Sequence, residues 1–286
     1  MKNINYNKNK YIKSPLNYIG GKYKLLNKII PIFPNKINNF VDLFCGGLNV
    51  GINANAKKIV AVDNNRYVIE ILTAFKNNNA EIIIKHVENR IKQFDLSPIN
   101  EQSFLSFRDY YNLHKNPLDL YTLTCHSFNH QFRFNSNGNY NNAFGRNKSS
   151  FSEALKQKLI IFVEELHKKE IDFVNLDFQY FNFNMLTHQD FVYCDPPYLI
   201  TNAVYNKNWD IDKEQKLLEL LDNLNCKGIP FALSNVITHK DKTNNLILEW
   251  SKKYTVHYMD YSYNYCCYNT KKGKSNEVLI TNVLKK

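Results

Sequence analysis

No apolar run in the 286-residue sequence approaches the roughly 18–20 residues needed to span a membrane. Residues 1–13 are rich in Lys and Asn and hold no apolar core, which excludes a secretory signal and predicts a frayed basic arm. None of the six cysteines, at 45, 125, 194, 226, 266 and 267, belongs to a CxxC pair. Neither a zinc site nor a disulfide framework is expected, and no metal is predicted. These absences predict a reduced, cytoplasmic protein with no membrane partner. There is no internal repeat, and the Asn runs at 77–79 and 141–142 read as loops. What is present is 44% hydrophobic and 14% aromatic residues, enough for one large domain or a core with a modest second lobe. That content excludes a wholly disordered chain. Lys and Arg number 37 against 26 Asp and Glu, a formal net charge of +11. A folded chain this basic points to an anionic partner, nucleic acid first. An AT-rich genome, which inflates Lys, Asn and Ile, accounts for the same bias.

Short apolar runs read as buried strands at Phe40–Phe44, Lys58–Val62, Asp172–Val174, Phe191–Cys194, Pro230–Asn235 and Val278–Thr281. Helical patterns lie at Lys24–Ile30, Arg66–Asn77, Phe151–Lys169 and Lys213–Leu224. Strands alternating with helices predict an α/β fold with a mostly parallel sheet, whose ligands sit beyond the carboxyl ends of the strands. Three of these strands lead to an aspartate at that edge: Asp63, Asp177 and Asp195. The stretch 77–157 breaks the alternation and is polar, aromatic and basic. It reads as an inserted lobe, so the expected organisation is an arm at 1–13, a core of 14–76 with 158–286, and a lobe at 77–157.

Asp195-Pro196-Pro197-Tyr198 carries the clearest chemistry. Two consecutive prolines fix φ and remove two backbone donors, so the local carbonyls are open to a ligand. A carboxylate, a carbonyl and an aromatic plane at one spot suit a planar molecule bearing an NH₂ group. A Pro-stiffened turn after a strand is the bland alternative. Upstream, Asp42-Leu43-Phe44-Cys45-Gly46-Gly47-Leu48 is a strand running into a glycine turn, as in dinucleotide-binding folds. Asp63 ends the next strand, at a spacing from Gly46 near the roughly 20 residues typical of a ribose-binding acid. A lone aspartate there is otherwise a helix N-cap.

With these elements in order, the sequence resembles the Dam-like, D12-type DNA adenine-N6 methyltransferases over about residues 14–286. The resemblance implies a Rossmann-like, S-adenosylmethionine-dependent methyltransferase core with an inserted, largely helical target-recognition lobe. It implies that Asp195, Pro196, Pro197 and Tyr198 bind an extruded adenine, Asp195 taking one N–H of its amine and the Pro196 carbonyl the other. Asn17-Tyr18-Ile19-Gly20-Gly21-Lys22 is similar to the family's Lys-Trp-x-Gly-Gly-Lys, with Asn17 and Tyr18 in place of Lys and Trp. Cofactor contacts are thereby expected at Tyr18, Gly21, Lys22, Asp42, Phe44, Gly46, Asp63, Asp177, Phe178 and Asp195. Leu48 replaces the last glycine of the family's turn, and Asp172 competes with Asp177.

Phe128-Asn129-His130-Gln131-Phe132-Arg133-Phe134-Asn135 and the following Gly138–Gly145 resemble the family's recognition lobe. Arg reads guanine bidentately, Asn and Gln read adenine, and aromatics wedge into the stack. DNA contacts are expected at Phe128, Asn129, Gln131, Arg133, Asn135 and Tyr140. His130, Gln131, Phe132 and Ala143 depart from the GATC-reading enzymes, which leaves the recognised sequence open. Lys271, Lys272 and Lys274 sit in a basic loop near tyrosines, suited to a phosphate backbone or equally to a solvated hairpin. The expected function is site-specific methylation of adenine N6 in double-stranded DNA by a monomer, within a restriction-modification or epigenetic system that pairs with a separate endonuclease. The competing readings are an RNA or protein-glutamine methyltransferase, and a basic DNA-binding protein with a dead core.

Overall fold

The computed structural model describes residues 10–201, 209–259 and 275–283. They form two compact units. One holds the described residues up to Tyr23, then Gly46–Asn53 and Asn65–Lys169. The other holds Lys24–Cys45, Ala54–Asn64 and the described residues from Glu170 onward. The helices are α1 (Leu26–Ile29), α2 (Arg66–Asn77), α3 (Ala80–Phe94), α4 (Glu101–His114), α5 (Pro117–His126), α6 (Glu153–Lys168), α7 (Ile211–Cys226) and α8 (Asn245–Trp250). Among the described residues no helix is long and apolar enough to cross a membrane.

The second unit is built on one sheet. Its strands are β1 (Ile37–Asp42), β2 (Ala56–Asp63), β3 (Glu170–Asn175), β4 (Phe191–Cys194), β5 (Phe231–His239), β6 (Lys242–Thr243), β7 (Thr255–Tyr258) and β8 (Ser275–Thr281). They run in the order β3-β2-β1-β4-β5-β8-β7, with β6 paired to β5. The five strands from β3 to β5 are parallel, and β8 lies antiparallel between β5 and β7. A parallel central sheet of apolar strands is the α/β core expected of a Rossmann-like methyltransferase. Phe191, Val192, Tyr193 and Cys194 of β4 are all buried, as a strand covered on both faces must be. One core cluster joins Val41, Val62, Val192, Leu233 and Ile280 of the sheet to Leu217, Leu218, Leu221 and Leu224 of α7. Those leucines recur at helical spacing, so α7 turns one apolar stripe to its partners.

Every expected strand is present, but β1 stops at Asp42 rather than Phe44. β7 went unforeseen because Thr-Val-His-Tyr has no apolar run. The chain order reverses at β1: it passes to β2 and β3 on one side and returns to β4 on the other. A crevice at such a switch point is where open α/β sheets bind ligands.

The first unit is mainly helical, as the lobe was expected to be, and gathers α2 to α6. All residues of α5 from Leu118 to His126 are buried, so neighbours must surround it. Phe75 of α2 packs edge-on against Tyr121 of α5 at 5.0 Å and against Phe162 of α6 at 6.5 Å. This is why α2 and much of α6 group with the helices of 77–157, although the expected boundaries fell at 76/77 and 157/158.

Candidate active site

In the second unit the candidate residues lie at the carboxyl edge of the parallel strands. Asp42 is the last residue of β1 and is buried. The chain beyond it stays fixed to its neighbours: Leu43 N donates to the Tyr193 carbonyl and Cys45 N to the Val62 carbonyl, each at 2.9 Å. Asp63 is the last residue of β2 and is also buried. Its carbonyl accepts from Leu176 N at 3.1 Å and from Asn175 Nδ2 at 2.9 Å, tying the end of β2 to the exit of β3. Helix α2 is capped by Asn65, whose side chain accepts from Tyr67 N, so Asp63 is not its N-cap.

Asp172 lies inside β3 and pairs with Lys58 of β2 at 2.7 Å. Asp177 stands beyond the strand, caps the short turn at Phe178–Tyr180 and lies 3.7 Å from Lys213 Nζ. Of the two competitors, Asp177 is thus the one at the strand's exit. Phe178 is buried, and its ring centroid is 5.5 Å from that of Phe44 and 5.6 Å from that of Trp209. Trp209 meets Phe44 edge-on at 5.7 Å, giving an aromatic corner of three rings. The indole N–H of Trp209 is held by the buried Glu214, which also accepts from Asn235 Nδ2 and Asn244 Nδ2. Burial pushes the Glu214 carboxyl up, against those three hydrogen bonds.

Asp195 follows β4 directly. The Tyr198 hydroxyl donates to Asp195 Oδ1 at 2.9 Å and reaches Glu277 Oε1 at 3.3 Å. Glu277 is a buried carboxylate on β8, just ahead of the expected strand Val278–Thr281. An acid heading the apolar run Val278–Ile280 was the available signal. The edge is strongly anionic. Burial pushes the Cys45 thiol up, and Asp63 and Asp42 push it further. Burial likewise raises the Cys194 thiol, with Asp42 and Asp195 adding to it.

In the first unit, the ring of Tyr18 lies on Gly46. A Cβ built at Gly46 would stand 2.8 Å from Tyr18 Cδ1, and Gly46 has φ +45°. The glycine is therefore required by Tyr18 and by its own backbone. Leu48 has φ +62° and is fully buried, so this chain keeps the left-handed backbone of the glycine it lacks. Gly21 N donates to the Tyr18 carbonyl at 3.2 Å. Lys22 is buried, with Nζ donating to the Gly20 carbonyl at 2.8 Å.

The segment 127–144, expected to read DNA, closes on itself through antiparallel bridges between Ser127 and Phe144 and between Phe134 and Tyr140. Arg133 is exposed, between two anchored rings. Phe132 lies 6.0 Å from Tyr18, and Phe134 stacks flat on Tyr67 at 3.6 Å. Phe128 and Asn129 are also exposed, and the Asn129 carbonyl accepts from Asn17 Nδ2 at 2.8 Å. Gln131 is half-buried. Tyr140 is buried and its hydroxyl donates to the Gln131 carbonyl at 3.0 Å, so it belongs to the hairpin's core. Asn135 is exposed, and its Oδ1 accepts from Asn137 N and Asn139 N, closing the turn. Lys271, Lys272 and Lys274 lie outside the described residues.

Carboxylates and aromatic rings thus stand at the ends of parallel strands, around the point where chain order reverses, in a Rossmann-like methyltransferase fold. Residues 18–265 match the D12 class N6 adenine-specific DNA methyltransferases, and the chain belongs to that family. It is 58% identical over 280 residues to the Type II methyltransferase M.FokI of Planomicrobium okeanokoites, covering 96% of this chain and 43% of the relative. It is 49% identical over 281 residues to the modification methylase StsI of Streptococcus sanguinis, covering 96% and 43%. It is 26% identical over 254 residues to the DNA adenine methylase of Escherichia coli (strain K12), covering 85% of each. The chain thus spans less than half the length of the first two relatives.

Proposed function

We propose that this chain is a site-specific DNA methyltransferase that moves a methyl group from S-adenosylmethionine to the exocyclic N6 amine of an adenine extruded from duplex DNA. The observation that carries this is Asp195-Pro196-Pro197-Tyr198 at the end of β4, beside the Asp42 end of β1, in a chain of the D12 family. S-adenosylmethionine, when bound, supplies a methyl already activated by a sulfonium leaving group. The donor set fits that group. Asp42, Asp63 and Asp195 make an anionic edge suited to a cationic ligand, and Asp63 suits ribose hydroxyls. Phe44 and Phe178 offer an apolar flank for an adenine ring, with Asp177 at its polar rim.

The adenine amine is a poor nucleophile because its lone pair is conjugated into the ring. Asp195 accepts one N–H and the Pro196 carbonyl the other, which turns the lone pair out of the ring plane. The amine nitrogen gains the methyl as the carbon–sulfur bond breaks to leave a neutral thioether, and the nitrogen's surplus proton passes by way of Asp195 to solvent. This is positioning with electrostatic stabilisation. Pro197 stiffens the turn, and Tyr198 stacks on the base. Within the first unit we assign Tyr18, Gly21, Lys22 and the Gly46 turn to cofactor binding. Phe128, Asn129, Gln131 and Arg133 are assigned to DNA. Modification within a restriction system, by a cytoplasmic monomer with a separate endonuclease, is the setting we infer. Transfer of tritium from labelled S-adenosylmethionine to duplex DNA tests the reading, with N6-methyladenine the expected product. Label in RNA or protein alone, or no transfer, overturns it.

A further inference from the structure

Glu277 is a carboxylate held almost wholly out of water, at 2% exposure. It sits on β8 opposite Val236 of β5, and β5 is the direct neighbour of β4. Burying a charge is unfavourable unless hydrogen bonds compensate, so a buried acid in an otherwise apolar strand calls for a specific partner. One partner here is the Tyr198 hydroxyl, 79 residues away in sequence, at 3.3 Å from Oε1. The same hydroxyl lies 2.9 Å from Asp195 Oδ1. One phenolic proton therefore stands between two carboxylates. The Tyr193 hydroxyl at the end of β4 feels the same charges. Burial raises it most, and Asp195, Asp42 and Glu277 each add to the rise.

We propose that Glu277 is a positioning residue for methyl transfer, acting through Tyr198. The geometry gives it two effects. It fixes the Tyr198 oxygen from a second direction, and so sets the plane of the ring that stacks on the base. It also shares the hydroxyl proton, so that Tyr198 does not neutralise Asp195 fully and the Asp195 carboxylate keeps its strength as acceptor for the adenine amine. The Tyr198 carbonyl accepts from Thr201 N at 3.1 Å, which anchors the other end of the residue. This inference rests on the reading of Asp195–Tyr198 as the adenine site.

The test is a double-mutant cycle on single-turnover methyl transfer, with cofactor affinity measured alongside. Glu277→Met, which removes the acceptor and keeps an apolar volume, is expected to slow transfer by about 10- to 100-fold, the range for a residue that orients another active-site group. Its affinity for S-adenosylmethionine should match wild type. Glu277→Gln retains an accepting oxygen and should recover much of the loss. It also serves should the Met variant fail to fold. Tyr198→Phe keeps the ring and removes the hydroxyl. In that background Glu277→Met or Glu277→Gln should produce no further loss, because residues acting through one contact are not additive. Equal losses in both backgrounds, or a change confined to cofactor affinity or melting temperature, overturn the inference. Asp195→Ala separates the two levels. If it retains activity, the reading of the adenine site fails and this inference with it. If it is inactive while the Glu277 and Tyr198 losses multiply, only the role of Glu277 fails.

Discussion

Asn65 Oδ1 accepts the backbone N–H of Tyr67 at 3.2 Å and so closes the first turn of α2. Asp63, two residues earlier, ends β2 with its backbone carbonyl tied to Asn175 and Leu176. Helix capping thereby falls to Asn65, and ribose binding is the separate role we propose for Asp63. Asp63→Ala should raise the dissociation constant for S-adenosylmethionine by about 10- to 100-fold, as a charge-assisted hydrogen bond contributes roughly 1.5–3 kcal/mol. Asn65→Ala should instead lower stability by about 1 kcal/mol, the usual effect of losing a cap. Calorimetric titration of Asp63→Ala showing wild-type affinity would remove Asp63 from the cofactor site.

The core of the sheet was legible because β4 and its neighbours are short apolar runs ending in aspartate, and burial on both faces leaves few other readings. The placement of Asp42 and Asp195 at strand ends was legible for the same reason. The partners within the hairpin were not. Tyr140 and Asn135 have the composition of DNA readers, and only the folded loop reveals which side chains close it on itself. Glu277 was hidden because its partner Tyr198 lies in the loop after β4, 79 residues away, and strand pairing order is not written in local periodicity. The grouping of α2 with the lobe helices likewise depends on Phe75 meeting Tyr121 and Phe162, three residues far apart in sequence.

Gly46 offers a direct test of the first unit. Its φ of +45° disfavours any side chain, and an added Cβ would meet the Tyr18 ring at 2.8 Å. Gly46→Ala should destabilise the protein by about 1–3 kcal/mol, the scale of one strained backbone residue plus displaced packing. In a Tyr18→Ala background the steric part should vanish and only the backbone part remain. Urea unfolding of the four proteins measures both. Equal destabilisation in the two backgrounds would show that Tyr18 does not constrain the turn.

The Asp119 carboxylate is fully buried in α5, with His86 Nε2 at 2.7 Å and Arg90 Nε at 2.8 Å. Burial alone would raise this carboxyl, but the hydrogen bonds and charges of His86 and Arg90 outweigh it and hold it below the usual carboxylate range. A depressed folded-state value means stability that is present above the unfolded value of about 3.9 and is lost as pH falls through the lower folded one. Asp119→Asn should destabilise by about 3–5 kcal/mol, since it leaves Arg90 without its charge partner. It should also flatten the acid limb of stability below about pH 4. Thermal melts from pH 7 downward check both effects, and an unchanged acid limb would assign the sensitivity to other groups.

Arg133 is exposed at the hairpin, while the rings on either side of it are held by Tyr18 and Tyr67. Its backbone is also fixed, since the Arg133 carbonyl accepts from Asn141 N at 3.0 Å. A firm backbone fixes where the side chain starts, and the planar fork of its guanidinium matches the two acceptors of guanine. Arg133→Ala should therefore slow methylation of the cognate site and relax preference at one guanine position by about 1–3 kcal/mol. An arginine that contacts only phosphate behaves differently. Its loss weakens every sequence about equally and lowers the salt slope by about one. Rates on all single-base variants of the site, at two salt concentrations, distinguish the two. A loss spread evenly over the variants, with the shallower salt slope, would move Arg133 from base reading to the backbone.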